Sequence, residues 1–172
     1  VTDAGRPPLT SYRRVVIRVG GKPVPPPAEK PVTSLPGPPK ETGPWVFHRG
    51  INLNGPAVVI DGHRWEGDDA ANFQCRDRPL ETPGVRLHPP TDAARARMIH
   101  SFRWNRRVRI RITGLPAGTY AVYAYVWEDN NPETFDIFLN GKPVIRAYNS
   151  GTAGDWQRLG PWVADVKRGV LE

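Results

Sequence analysis

The sequence comprises 172 residues, of which 38% are hydrophobic and 24% charged, and this balance indicates a soluble globular protein. No apolar run approaches the ~20 residues that a membrane-spanning helix requires, and the single cysteine excludes an internal disulfide framework. The formal net charge is +7, but residues 45–172 hold 17 basic and 14 acidic side chains, so this part is only mildly basic and its charge does not require a nucleic-acid partner.

The N-terminal part of the sequence predicts one strand followed by a linker. SYRRVVIRVGG at 11–21 has β-branched residues in partial alternation before a Gly-Gly pair, which predicts a strand over 11–20. Nine prolines in 22–44 favour an extended polyproline conformation and predict a semi-rigid linker. Because one strand cannot form a domain, we interpret residues 1–21 as the end of a preceding domain or as a donated strand.

Residues 45–172 consist of short strand patterns separated by turn signals, with no long segment of helical periodicity. The strand segments are 56–61, 106–113, 120–127, 134–144 and 157–166, and the turn signals are Asp61-Gly62, Asn140-Gly141 and Gly160-Pro161. YAVYAYVW at 120–127 is apolar on both faces, which predicts a central strand. Regular short strands without helices indicate an all-β protein, an antiparallel β-sandwich or jelly roll.

The segment TYAVYAYVWEDNNPETFDIFLNGKPV at 119–144 predicts two strands of a hairpin whose connecting turn is aromatic and polar. Its candidate ligand residues are Trp127, Glu128, Asp129, Asn130 and Asn131. Sugars stack their apolar ring faces on aromatic side chains and pair their hydroxyls with carboxylates and amides, and loops on a rigid scaffold commonly supply such groups. The turn therefore predicts a carbohydrate site. The alternatives are that Trp127 packs in the core and that the Asn and Asp residues serve the turn itself.

Four segments carry a resemblance to a known family. They are FHRGINLNGPAVVIDGHRWEGD at 47–68, SFRWN at 101–105, GLPAGTYAVYAYVWE at 114–128 and FDIFLNGKPV at 135–144. Together and in this order they resemble the motifs of malectin-type domains, which belong to the galactose-binding-like β-sandwiches. The resemblance covers 45–172 and implies a non-catalytic carbohydrate-binding module, often appended to larger extracellular or cell-envelope proteins. It also implies that Trp104 of SFRWN lies beside the hairpin and approaches the sugar.

One departure from the family pattern concerns the C-terminal end. Malectin-type domains continue with a further strand, whereas this sequence stops at RGVLE, 168–172. An unfilled slot would leave an exposed sheet edge. We therefore expect the strand at 11–20, from this chain or from a neighbouring subunit, to pair with the edge left open after Val163–Val166. Strand donation of this kind also supports an alternative function, a structural repeat in a surface or filament assembly.

Other chemistries receive less support from the residues. Asp61, Glu66, Asp68 and Asp69 are acids close together in sequence, and hard cations such as calcium prefer clustered oxygen ligands. Their spacing matches no calcium loop and Arg64 lies among them, so we expect no cofactor. The four histidines are scattered without a zinc-binding spacing, and Cys75 lies in no recognisable catalytic motif. We expect no catalytic residues and no enzyme activity.

The stretch from Ala93 to Trp127 contains no acid but many arginines. They are Arg95, Arg97, Arg103, Arg106, Arg107, Arg109 and Arg111. Three of them alternate with Val108, Ile110 and Ile112 and so share one strand face. The simplest interpretation is a solvated outer face, and the alternatives are contacts to an anionic polysaccharide or to a nucleic-acid backbone.

Overall fold

A computed structural model of the protein describes residues 18–21 and 45–172. This part of the chain is mostly β structure with one short helix, and each ladder between its strands is antiparallel, which confirms the all-β prediction. The strands are β1 (Arg18–Gly21), β2 (Val46–Gly50), β3 (Val58–Ile60), β4 (His63–Trp65), β5 (Phe73–Gln74), β6 (Arg78–Glu81), β7 (Ser101–Trp104), β8 (Arg111–Ile112), β9 (Gly118–Trp127), β10 (Thr134–Leu139), β11 (Lys142–Asn149) and β12 (Trp156–Val166), and the helix is α1 (Ala93–His100).

A four-stranded sheet in the order β12-β9-β1-β2 is the largest sheet of the described residues. Four two-stranded ladders accompany it, β10-β11, β3-β4, β5-β8 and β6-β7. Strand β9 has neighbours on both edges, and seven of its last eight residues are buried, as its apolar sequence requires. The prediction of a central strand at 120–127 is confirmed.

Two tight turns form where the sequence indicates them. Asn140 and Gly141 have φ values of 49° and 76° between β10 and β11, and Asp61 and Gly62 have φ values of 53° and 78° between β3 and β4. Two consecutive residues with positive φ make a turn whose twist matches that of the flanking strands, and Asn, Asp and Gly tolerate this conformation best. Both hairpins therefore follow from local sequence.

The predicted hairpin over 119–144 is wrong. Strand β9 pairs with β1 and β12, whereas β10 pairs with β11 in a separate ladder. Because both edges of β9 are already hydrogen-bonded, β10 has no edge of β9 on which to add. Residues 128–133 are therefore a connection between two sheets rather than a hairpin turn.

The N-terminal strand lies in a different place from the predicted one. Strand β1 lies between β2 and β9, with Arg18 opposite Gly50 on one side and Tyr123 on the other. The segment Val163–Val166 belongs to β12, which pairs with the opposite edge of β9. For the described part of this strand, the predicted pairing with the edge left open after Val163–Val166 is therefore wrong. Residues 11–17 and the Pro-rich linker 22–44 lie outside the described residues.

Helix α1 is a feature that the sequence reading missed. The Asp92 carboxylate accepts the Arg95 backbone N–H at 2.9 Å and caps the helix at its first turn. Arg95, Met98 and Ile99 are buried at the i, i+3 and i+4 spacing of one helix face. With eight residues and an arginine on its buried face, the helix has too weak a hydrophobic pattern to be recognised. Among the described residues no helix has the length and hydrophobicity to cross a membrane.

The arginine-rich strand predicted at 106–113 is shorter than expected. Only Arg111 and Ile112 form a ladder, with β5, while 106–110 form an irregular segment. The alternation of faces persists, since Ile110 and Ile112 are buried, whereas Arg109 and Arg111 are exposed. Periodicity therefore predicted the buried face correctly but not the extent of hydrogen bonding.

Candidate functional site

Trp127, the expected sugar platform, is buried. Its side chain is 3% exposed, and the rings of His100 and Phe102 both lie with their centroids 5.4 Å from it in edge-to-face contact. It shares a hydrophobic core cluster with Trp65 and, at the partly buried margin, with Trp104. The structure thus brings Trp104 and Trp127 into one cluster, but a ligand cannot stack on Trp127 in this conformation.

Glu128 is also buried, and its contacts are internal. The Ser150 hydroxyl donates to Glu128 Oε2 at 2.6 Å, and the Asn130 backbone N–H donates to Oε1 at 3.0 Å. The Gly154 N–H donates to the Glu128 carbonyl at 2.8 Å. These bonds fix the connection after β9 against the loop around 150–155. The Glu128 carboxylate therefore stabilises this connection and is not exposed for contact with a ligand.

The other residues of the predicted carbohydrate site, which is called the rim below and comprises Trp104 and 127–131, are more accessible. Trp104 and Asn130 are half-buried and Asn131 is exposed, while Asp129 lies half-buried beside the core. The guanidinium of Arg78 lies 5.3 Å from the centroid of the Trp104 ring. A sugar contact by Trp104, Asp129, Asn130 or Asn131 stays a prediction, but the buried neighbours Trp127 and Glu128 leave the rim without its central platform.

Three of the four acids considered for calcium are engaged in ion pairs with different arginines. Each of three carboxylates accepts from an arginine guanidinium of another element. The three pairs are Asp61–Arg95, Asp68–Arg103 and Glu66–Arg49. Across 45–172 and 18–21, no group of three or more His, Cys, Asp or Glu side chains is arranged to hold a metal ion. Because arginine already supplies the counter-charge, these carboxylates do not converge on one point.

The Asp68–Arg103 pair predicts a specific acid sensitivity. Burial alone would raise the pKa of the Asp68 carboxyl, but hydrogen bonds from Arg103 and from the Asn54 backbone N–H hold that pKa below its ordinary value. A pKa that is lower in the folded state stabilises the fold above about pH 4 and loses this effect as the pH falls through the folded value. We expect Asp68→Asn to lower the free energy of unfolding at neutral pH and to flatten its decline below about pH 4. Urea titrations at stepped pH check this, and an unchanged acid slope would contradict it.

Cys75 has no features of an activated thiol. Burial and, after it, the charge of the nearby Asp77 carboxylate, which accepts from Sγ at 3.6 Å, raise the pKa of its thiol to about 11. At neutral pH the side chain is therefore the protonated thiol, which is a poor nucleophile.

A groove of about 780 Å³ opens between the irregular segment 106–110 and strand β10. Its walls are the residues of Thr134–Leu139 on one side and the arginine-rich segment on the other. Buried Val122 and Ala124 of β9 and half-buried Trp162 of β12 form its deepest part. The groove is thus apolar at its base, and its volume falls within the range of small-ligand sites in proteins.

An exposed aromatic ring and several charges border the groove. Phe138 is 50% exposed although it lies on β10, because its side chain points away from the face that buries Phe135, Ile137 and Leu139. The guanidinium of Arg146 lies 5.4 Å from the centroid of the Phe138 ring. Phe138 is among the residues that line the groove, and a half-exposed phenylalanine is the kind of surface on which a sugar ring can stack.

The sequence reading missed the groove but not all of its signals. Strict alternation in TFDIFL places Phe138 outward, and an outward aromatic on an otherwise amphipathic strand is an available signal. The sequence predicts an outward arginine face, and Arg106, Arg107 and Arg109 line the groove. Their proximity to β10 depends on how the two elements pack, which local sequence does not specify.

No protein-family model, curated protein or solved structure matches this chain. The resemblance to malectin-type domains therefore rests on the four sequence segments alone.

Proposed function

We propose that residues 45–172, together with strand β1, form a non-catalytic carbohydrate-binding β-sandwich of the galactose-binding-like type, and that the sugar binds in the groove between 106–110 and β10. The observation that carries this proposal is one groove whose lining combines apolar residues of the core, the half-exposed Phe138 and a row of arginines. Sugar recognition needs this combination, because one ring face is apolar and the hydroxyls require polar partners. The proposal keeps the function expected from the sequence but moves the site.

Groove dimensions and composition support this choice over the rim around Trp104. The rim's strongest candidates, Trp127 and Glu128, are 3% and 0% exposed, so they cannot contact a ligand without unfolding locally. In contrast, Phe138 is already half-exposed in the free protein. Ligand binding at Phe138 therefore needs no free energy for rearranging the hydrophobic core. A domain of this kind belongs on an extracellular or cell-envelope protein, as the resemblance implies.

Phe138→Ala is the direct test of the groove. We expect this substitution to weaken binding of glycans by about tenfold, because the stacking surface is lost. A glycan array with wild-type protein identifies the ligand, and calorimetric titration with that ligand measures the loss. Val163→Ala is the matched control, since Val163 is 61% exposed but lies on β12 outside the groove.

A third variant, Trp104→Ala, distinguishes the two sites. We expect it to leave affinity within about twofold of wild type. If it abolishes binding while Phe138→Ala has no effect, the ligand lies at the rim and the groove proposal is wrong. If the array detects no glycan, carbohydrate binding itself is overturned.

A structural module is the second candidate function, and the position of β1 favours it. Strand β1 is inserted between β2 and β9, so the N-terminal part of the sequence completes the largest sheet of the described residues. A sheet completed by a segment so far along the chain from β9 is suited to assemblies joined by strand exchange. This candidate takes precedence if no glycan binds.

A further inference from the structure

We infer that the groove selects an acidic oligosaccharide, one whose carboxylates resemble those of uronic acids, and this inference rests on the proposed function. Arg106, Arg107 and Arg109 line the groove, and all three side chains are exposed. Among the described residues, no carboxylate lies within ion-pair distance of Arg106 or Arg107. The guanidinium groups of Arg106 and Arg107 therefore add positive charge to the groove that no protein carboxylate neutralises among the described residues. A neutral sugar does not neutralise it either.

The acids of the groove do not supply that counter-charge, because they are already paired. Glu172 Oε1 lies 3.2 Å from Arg109 Nε, and Asp136 Oδ2 accepts from Arg146 Nη1 at 2.7 Å. The second oxygen of Asp136 accepts the Ala147 backbone N–H at 2.9 Å. Each acid is thus matched by its own arginine, and the charge of Arg106 and Arg107 remains as the net positive charge of the site.

The chemistry of this charge favours a carboxylate on a sugar. Guanidinium groups present planar donors that match the two oxygens of a carboxylate, and such charge-assisted hydrogen bonds are stronger than neutral ones. Phe138, which lines the same groove, offers a stacking surface for the pyranose that carries the acid. Nucleic acid fits less well, because single-strand binders use successive aromatic platforms along a strongly basic surface, whereas 45–172 carry only 17 basic against 14 acidic side chains.

The test compares two ligands that differ only in charge. One is a homo-oligomer of uronic acid, and the other is the same oligomer with its carboxyls reduced to primary alcohols. We expect the full chain to bind the acidic oligomer at least tenfold more tightly in calorimetric titration. The double variant Arg106→Gln/Arg107→Gln should lose roughly 10- to 100-fold of this affinity and leave binding of the neutral oligomer unchanged. Arg64→Gln/Arg97→Gln, which removes two exposed arginines outside the groove, should leave both affinities unchanged.

The outcomes separate the inference from the proposed function. Equal affinity for both oligomers, lost in Phe138→Ala, overturns the charge selection and leaves carbohydrate binding intact. Binding of neither oligomer, when the array has identified another glycan, also overturns the inference alone. If single-stranded DNA binds more tightly than the uronic acid oligomer at the same salt concentration and depends on the same two arginines, the site recognises nucleic acid and the inference is wrong.

Discussion

Trp127→Ala will lower the free energy of unfolding by about 3–5 kcal/mol, because it removes a buried indole and leaves a cavity in the core. The Trp127 ring is 3% exposed and makes edge-to-face contacts with His100 and Phe102. For a domain of this size the loss corresponds to a fall in melting temperature of roughly 10–20 °C. Thermal melts and urea titrations followed by circular dichroism measure both quantities.

The matched control for this prediction is Phe138, an exposed aromatic residue that is proposed as a sugar contact. Phe138→Ala should change the free energy of unfolding by about 1 kcal/mol or less, since its side chain is 50% exposed. The two variants therefore have opposite profiles, with Trp127→Ala affecting stability and Phe138→Ala affecting binding. A Trp127→Ala protein that melts within about 2 °C of wild type and loses glycan binding would show that the indole is exposed in solution and would restore the rim site.

Asp61→Asn will lower the free energy of unfolding by about 3 kcal/mol, because it removes the negative charge that pairs with the buried guanidinium of Arg95. Arg95 has 4% of its side chain exposed, and its Nη2 lies 2.5 Å from Asp61 Oδ1. Asn tolerates the positive φ of 53° at this position, so the turn between β3 and β4 is preserved and the change isolates the charge. Asp92 still accepts from Arg95 Nη1 at 2.9 Å, which places the loss at the lower end of the usual range for buried pairs.

An exposed pair of the same chemistry provides the control. Asp136→Asn removes the carboxylate that faces Arg146, whose side chain is 66% exposed, and its effect should be about 1 kcal/mol or less. Urea titration of the two variants in parallel gives the comparison. Equal losses for Asp61→Asn and Asp136→Asn would contradict the conclusion that burial determines the strength of the Arg95 pair.

The candidate site was only partly predictable. The sequence indicated a row of outward arginines and the alternation that points Phe138 to the surface. It did not indicate that these two features line one groove, because segment 106–110 and β10 are about 30 residues apart and meet only in the folded chain. It also suggested an exposed Trp127, since a tryptophan followed by four polar residues has the same local pattern at a surface turn and at the end of a buried strand.

The sequence by itself determined the features that depend on local physical chemistry. Sequence patterns identified β3, β10 and β12 and the buried faces of β8 and β10, the Asn140-Gly141 and Asp61-Gly62 pairs specified two turns, and the continuous apolar run identified β9 as central. The tertiary structure alone decided which strands pair, that β1 is inserted beside β9, and which aromatics are buried. Those outcomes depend on which sheet edges are already hydrogen-bonded and on how distant surfaces pack, and no short stretch of sequence contains that information.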